Sequence, residues 1–156
     1  MTDPLALDDA DLMAIALEEA VLALEHDDVP VGALVVSGSQ IVSSRHNERE
    51  LRQDPTAHAE LLALREAAER LGTWHLAEAT LVVTLEPCAM CAGAAVLARI
   101  GRLLFGAFDP RAGACGTLYN LCADPRLNHE IKTVGGVRAQ AAGSLLQDFF
   151  KNRRQS

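Results

Sequence analysis

Aromatic side chains are scarce in this 156-residue chain, which has four Phe, one Tyr and one Trp. A core must therefore be built mainly from Ala, Val and Leu, and the hydrophobic content of 49% is enough to supply it. No stretch approaches the ~20 consecutive apolar residues of a membrane span, so no membrane partner is expected. Lys and Arg are missing from residues 1–44, where nine acids stand (Asp3, Asp8, Asp9, Asp11, Glu18, Glu19, Glu25, Asp27 and Asp28). An N-terminus reading MTDPLALDDADL lacks the basic start of a secretory signal, and a cytoplasmic location is the expectation. Four cysteines without an export signal argue against a disulfide framework and leave thiols free to ligate a metal or sit buried. The formal charge of −7 looks wrong for a nucleic-acid binder. The acidity is regional, however: from Arg138 onward stand Arg138, Lys151, Arg153 and Arg154 against Asp148 alone.

Neither a repeat nor a long linker divides the chain, so one domain is expected over 1–156. Apolar residues between acids predict an amphipathic helix from Asp8 to about Glu25. The run Val29–Val36 reads as a strand. Ser37-Gly38-Ser39 reads as a turn, and a second strand follows over Gln40–His46. Thr56 is placed to cap a helix that begins near Ala57 and stops at Gly72. ATLVVTL reads as a third strand, Pro87 suits the first turn of a helix running from Cys88 to about Ala98, and LLFGAF reads as a fourth strand. A short helix around Thr117–Leu121, a weak strand near Lys132–Val134 and a last helix from Ala139 to about Lys151 complete the pattern. Alternating strands and helices predict an α/β domain with helices on both faces of one sheet.

Two short pieces carry chemistry, His58-Ala59-Glu60 and Pro87-Cys88-Ala89-Met90-Cys91. Cys-x-x-Cys at a helix start lets both sulfurs converge on one ion, and the helix dipole favours their deprotonated form. One imidazole and two thiolates suit Zn²⁺ and leave a fourth tetrahedral position open, the mark of a catalytic site. Zinc there would lower the pKa of water to about 7. An amine still leaves poorly unless protonated, and Glu60, two residues from His58, is placed to carry protons without binding the metal. The same Cys-x-x-Cys also fits a redox pair, or half of a structural zinc site completed by Cys115 or Cys122. Those two cysteines read more simply as small buried residues.

His-x-Glu followed by Pro-Cys-x-x-Cys is the known zinc deaminase signature. With VPVGA (Val29–Ala33), DPTAHAE (Asp54–Glu60), TLEPCAMCAGA (Thr84–Ala94), RIGRLLFGA (Arg99–Ala107) and DFFKNRR (Asp148–Arg154), the chain resembles the bacterial tRNA adenosine deaminases. The metal motif alone is shared with cytidine and guanine deaminases. The resemblance implies a cytidine deaminase-like three-layer α/β/α sandwich around a five-stranded mixed sheet, a homodimer, and one zinc per subunit. It implies His58, Cys88 and Cys91 as ligands and Glu60 as proton shuttle, acting on adenosine at the wobble position of a tRNA anticodon loop.

The same resemblance places Asn47 and Asp109 against the substrate, although Asn at a strand end and Asp before Pro110 are also ordinary turn residues. Lys151, Arg153 and Arg154 are candidate phosphate contacts, or equally partners of their own helix's C-terminal dipole. Phe108 departs from the polar or basic residue of some relatives, which bears on how that loop grips RNA. His46 takes a position that is aromatic in some members, and His26, His75 and His129 receive no role. A deaminase of a free base or nucleoside, of guanine or cytosine type, would share every zinc residue named. A non-catalytic RNA-binding subunit would have no need of Glu60.

Overall fold

The computed structural model describes residues 7–154. Helix α1 (Asp9–Val21) opens with a capping box. Asp8 accepts from the Asp11 amide, and the Asp11 side chain accepts in return from the Asp8 amide. A 3₁₀ turn, Leu22–His26, continues it and ends on Asp27 in the left-handed region. The chain then forms β1 (Gly32–Ser37) and β2 (Gln40–His46), the four-residue helix α2 (Arg49–Arg52), and α3 (Ala59–Leu71), which stops at left-handed Gly72. Next come β3 (Ala79–Leu85), α4 (Ala89–Leu97), β4 (Arg102–Ala107), a 3₁₀ turn at Leu121–Ala123, β5 (Lys132–Val134) and α5 (Ala139–Arg154).

The sheet order is β2-β1-β3-β4-β5, with β1 antiparallel to both neighbours and β3, β4 and β5 mutually parallel. Side-chain alternation divides the core into two. Ala33, Val35, Leu81, Val83, Leu103 and Phe105 face Ala63, Ala67, Ala92 and Ala95 of α3 and α4. Leu34, Val82 and Leu104 face the other way, onto Leu12, Met13 and Ala16 of α1. Helix α5 shares that second side: a Cβ on Gly106 would lie 3.1 Å from the Ala142 Cβ. The five-stranded mixed sheet of an α/β/α sandwich is thus present. Small residues make it compact. A Cβ on Gly32 would come within 2.1 Å of the Ala16 carbonyl, so only glycine lets α1 sit this close to β1.

Several expected boundaries move. Thr56 does not cap α3, because its amide and hydroxyl are both spent on the Asp54 carboxylate two residues back. His58 takes the cap position, and the Ala59 amide is accepted by Asn47 Oδ1 at 2.8 Å. The short helix expected at 117–121 is instead a 3₁₀ turn three residues long, started by Asn120, whose side chain accepts from the Cys122 amide. The first strand begins at Gly32 rather than Val29, and α2 is an element that the sequence reading lacked. Among the described residues no helix is long and apolar enough to cross a membrane.

Candidate active site

The chemistry-bearing residues sit at two adjoining helix starts on one side of the sheet. His58 stands at the cap of α3 and Glu60 in its first turn. Strand β3 delivers Glu86, Pro87 and then Cys88, which is the cap of α4, with Cys91 one turn further on. Both helices therefore point their positive ends toward the same spot, which favours thiolate and other anionic groups.

The three candidate ligand atoms lie within 4.8 Å of one another, and among the described residues they form the one such group. His58 Nδ1 is 3.7 Å from Cys88 Sγ and 3.5 Å from Cys91 Sγ. A tetrahedron drawn with zinc–sulfur bonds of about 2.3 Å and zinc–nitrogen bonds of about 2.0–2.1 Å has an N···S edge of about 3.6 Å. The donor set thus fits zinc in chemistry and in size. Cys115 and Cys122 do not complete it. They are buried against each other with their sulfurs 3.5 Å apart, as expected for small core residues. Hydrogen bonds from Cys91 and His58 hold the Cys88 thiol down at about 3, against the opposing effect of burial.

Glu60 is 4% exposed, and burial pushes its carboxyl up to about 7. It lines a narrow pocket of about 140 Å³ together with His58, Cys88, Asn47 and Asp109. A carboxyl poised near neutrality beside a three-ligand set is equipped to accept and return a proton. Asn47, its Oδ1 engaged by the Ala59 amide, keeps its NH₂ as a spare donor. Asp109 is a turn residue as well as a pocket residue, since its Oδ1 accepts from the Arg111 and Ala112 amides.

Glu86 escaped the sequence reading, although an acid closing the apolar run ATLVVTL is a signal that a buried carboxylate has a purpose. It is 1% exposed and accepts from the amides of Asp109 (3.0 Å), Cys115 (3.1 Å) and Thr117 (3.0 Å), and from the Thr117 hydroxyl. Burial raises its pKa, but these four hydrogen bonds outweigh it and hold the carboxyl below its ordinary 4.5. Through them Glu86 fixes the loop that carries Asp109. Arg49 also lines the pocket and went unread. Its short helix is held by Asp28, which accepts from the Glu50 and Leu51 amides. His46 pairs with Glu19 at 2.5 Å and stacks on His26, which pairs with Asp28 at 2.6 Å.

Beside this pocket runs a groove of about 800 Å³ between the end of β4 and α5. Arg153 and Arg154 line it, whereas Lys151 is exposed and is not among its lining residues. Arg153 also donates to the Asp27 carbonyl at 3.2 Å and lies over the Phe149 ring.

The family model of the MafB19-like deaminases matches residues 7–154. The tRNA-specific adenosine deaminase of Bacillus subtilis is 48% identical over 143 residues, covering 92% of this chain and 89% of that protein. The protein of the same name from Aquifex aeolicus is 44% identical over 144 residues, covering 92% and 95%. A solved structure from work on A-to-I editing by tRNA:A34 deaminases at the wobble position superposes with a TM-score of 0.82. It is 40% identical and covers 86% of this chain and 97% of that one. A guanine deaminase from Nitrosomonas europaea superposes at 0.76 with 25% identity, covering 92% and 85%.

Proposed function

We propose, from the premise that this chain belongs to the MafB19-like deaminases and within its relatives to the tRNA-specific adenosine deaminases, that it hydrolyses adenosine to inosine at the wobble position of a tRNA anticodon. Water adds at C6 of the base, the exocyclic amine departs as ammonia, and no oxidant or second substrate is needed. The observation that carries this reading is the buried Glu60 carboxyl sharing one narrow pocket with His58 and Cys88 of the three-ligand set. His58, Cys88 and Cys91 would hold the zinc. When bound, zinc supplies the Lewis acidity that makes a water molecule nucleophilic near neutral pH.

Glu60 takes one proton from the attacking water and delivers it to the ring nitrogen N1; it then takes the second from the hydroxyl now on C6 and passes it to the amine, so that the C6–N bond breaks, ammonia leaves and the C6 carbonyl of inosine forms. The spare NH₂ of Asn47 orients the nucleoside, and Asp109, which also lines the pocket, meets it there. A pocket this small takes a base only after it has left its stack, which costs least in a loop that is already single-stranded. Arg49 at the pocket, with Arg153 and Arg154 in the groove, would meet phosphates. The basic end of α5 offsets the chain's net acidity where the RNA would run. We also infer a cytoplasmic homodimer with one zinc per chain. The exposed apolar side chains Met90 and Leu97 of α4, and Leu118 and Tyr119 beyond it, support a second copy as the partner.

Incubating the zinc-loaded protein with tRNA anticodon stem-loops, free nucleosides and free guanine tests the reading. Inosine formed only in the RNA is the expected result. Ammonia released from guanine or cytidine, with the RNA untouched, would transfer the site to the free-base reading that the guanine deaminase likeness allows.

A further inference from the structure

Two of the four cysteines take no part in the chemistry proposed above. Cys115 is 6% exposed and Cys122 is fully buried, and their sulfurs lie 3.5 Å apart in the core between the sheet and α4. They face each other across the base of a tight loop. Cys115 pairs with Asn120, the Leu121 amide donates to the Ala114 carbonyl at 2.9 Å, and the Gly116 amide donates to the Tyr119 carbonyl at 2.9 Å. The sulfurs are in contact but not bonded, about 1.5 Å further apart than the ~2.05 Å of a disulfide. With Cys88 and Cys91 on zinc, this pair holds the chain's remaining thiols.

Glu86 couples the pair to the pocket. The Cys115 amide donates to Glu86 Oε2 at 3.1 Å, and the Asp109 amide donates to Oε1 of the same carboxylate at 3.0 Å. The two cysteines are not held alike. The Cys122 amide donates to Asn120 Oδ1, and its carbonyl accepts from the Ile131 amide at 2.7 Å. Cys115 stands between Gly113 and Gly116, and Gly116 lies at φ +137° in open space, so the chain can turn there. The approach that a bond requires therefore falls to Cys115, and it loosens the hydrogen bond between the Cys115 amide and Glu86. Hydrogen bonding between the two thiols draws Cys122 below its ordinary 9.0 against burial, and together with burial it pushes Cys115 up. Cys122 is thus the nucleophile of the pair and Cys115 the resolving thiol.

We propose that Cys115 and Cys122 form a redox latch on the loop that carries Asp109, closed into a reversible disulfide by a hydroperoxide. The Cys122 sulfur attacks the O–O bond of hydrogen peroxide, becomes a sulfenic acid and releases one water. The Cys115 sulfur then attacks the oxidised sulfur, the S–O bond breaks, and a second water leaves as the S–S bond forms. Two thiols are oxidised and one peroxide is reduced to two waters. In the closed form Cys115 is drawn toward the 3₁₀ turn, Glu86 loses a donor, and Asp109 is set less firmly against the substrate. Where thiols are kept reduced, such a bond is transient and works as a sensor. The effect on binding rests on the reading above that the pocket takes adenosine in RNA.

The test treats the zinc-loaded protein with hydrogen peroxide, removes the excess with catalase, and follows peptide mass, zinc content and turnover. Trypsin releases Cys115 and Cys122 together in the peptide 112–126, which holds no other cysteine. That peptide becomes lighter by two hydrogens while zinc stays at one per chain. KM for an anticodon stem-loop rises about 2- to 10-fold, the contribution of one hydrogen bond, with kcat little changed. A phosphine reductant restores both mass and KM. Cys122→Ala keeps the untreated KM and no longer responds to peroxide. Cys115→Ala repeats the pattern and covers the case in which Cys122→Ala fails to fold, with zinc content reporting folding in each variant. A peptide of unchanged mass would overturn the latch. So would a linked peptide with unchanged KM, or a rise in KM that persists in both alanine variants. If the untreated protein forms no inosine in any stem-loop, the RNA reading itself has failed, whereas the mass of the peptide still decides whether the disulfide forms.

Discussion

The catalytic pocket and the groove beside it share three lining residues but are built in different ways. The pocket's working groups come from two short stretches, residues 58–60 and 88–91, each at the first turn of a helix. They are buried or half-buried, and side chains pin the backbone around them: Asn47 accepts from the Ala59 amide, and Glu86 accepts from the amide of Asp109 across the pocket wall. The groove draws on residues 29, 85, 107–111 and 143–154, and its rings and guanidiniums are largely exposed. Chemistry that needs atoms held to fractions of an ångström sits on rigid element ends, whereas recognition of a flexible strand tolerates exposed side chains. Changes in the first region should therefore remove the reaction, and changes in the second should weaken binding.

The largest effect belongs to the buried ligand. Cys91→Ala leaves only His58 and Cys88 to hold zinc, so metal content should fall far below one ion per chain and inosine formation should drop to background. Zinc measured by atomic absorption alongside activity checks this. Full zinc occupancy in the variant would remove Cys91 from the ligand set. A change at the groove, such as Phe108→Ala, should by contrast leave zinc content at one per chain.

Next in size is Glu60→Gln. It keeps the shape of the side chain and lies outside the metal's donor set, so zinc should stay. The loss of proton transfer should still cost at least ~10²-fold in kcat, the low end for general acid–base catalysis. Turnover within a few-fold of the parent would show that another group carries the proton.

This difference in construction also decides what the sequence could tell. The grouping of His58, Cys88 and Cys91, with Glu60 beside them, was legible because residues placed at helix starts keep fixed short spacings. The five strands were legible because branched apolar runs between turns have few other readings. Glu86 was not, since its four hydrogen bonds come from three residues, 109, 115 and 117, brought to it by the parallel pairing of β3 with β4. The cap of α3 was misplaced for the same reason: Asn47, not a local side chain, accepts the Ala59 amide. The ring pairs beside the groove, Phe105 with Phe108 and Phe149 with Phe150, span 105 to 150 and show no local pattern beyond Phe149-Phe150.

Glu86 offers a middle case, a residue of the pocket wall whose effect should appear in stability. Glu86→Gln places an NH₂ among backbone donors and removes the charge from their acceptor. A hydrogen bond to a charged group contributes about 1.5–3 kcal/mol, so a loss on the order of 2–3 kcal/mol is expected in denaturant unfolding of the zinc-loaded protein at neutral pH. The folded-state pKa of Glu86 lies below the 4.5 of an unperturbed group. Its contribution is therefore complete above the unfolded value and is lost as pH falls through the lowered folded value. The stability gap between parent and variant should hold from neutral pH down to about 5 and narrow below about 4.5. A gap that widens in acid would mean that the carboxylate is not the form being held.

The smallest effect divides α5 itself and sharpens the contrast between lining the groove and merely standing near it. Arg154 lines the groove, and Lys151, one turn earlier, does not. Each cation that meets a phosphate of a single strand contributes about 0.7 to the slope of log affinity against log salt. Arg154→Gln should therefore flatten that slope by about 0.7 for an anticodon stem-loop, while Lys151→Gln should change it by much less. Both variants carry the same net charge, so a general loss of attraction between an acidic protein and RNA would move them equally. Equal slopes in the two would mean that the basic helix end acts as a diffuse field and that the strand does not run along the groove. Unequal slopes in the stated direction would tie the RNA path to the cavity that Phe108 and Phe150 also line.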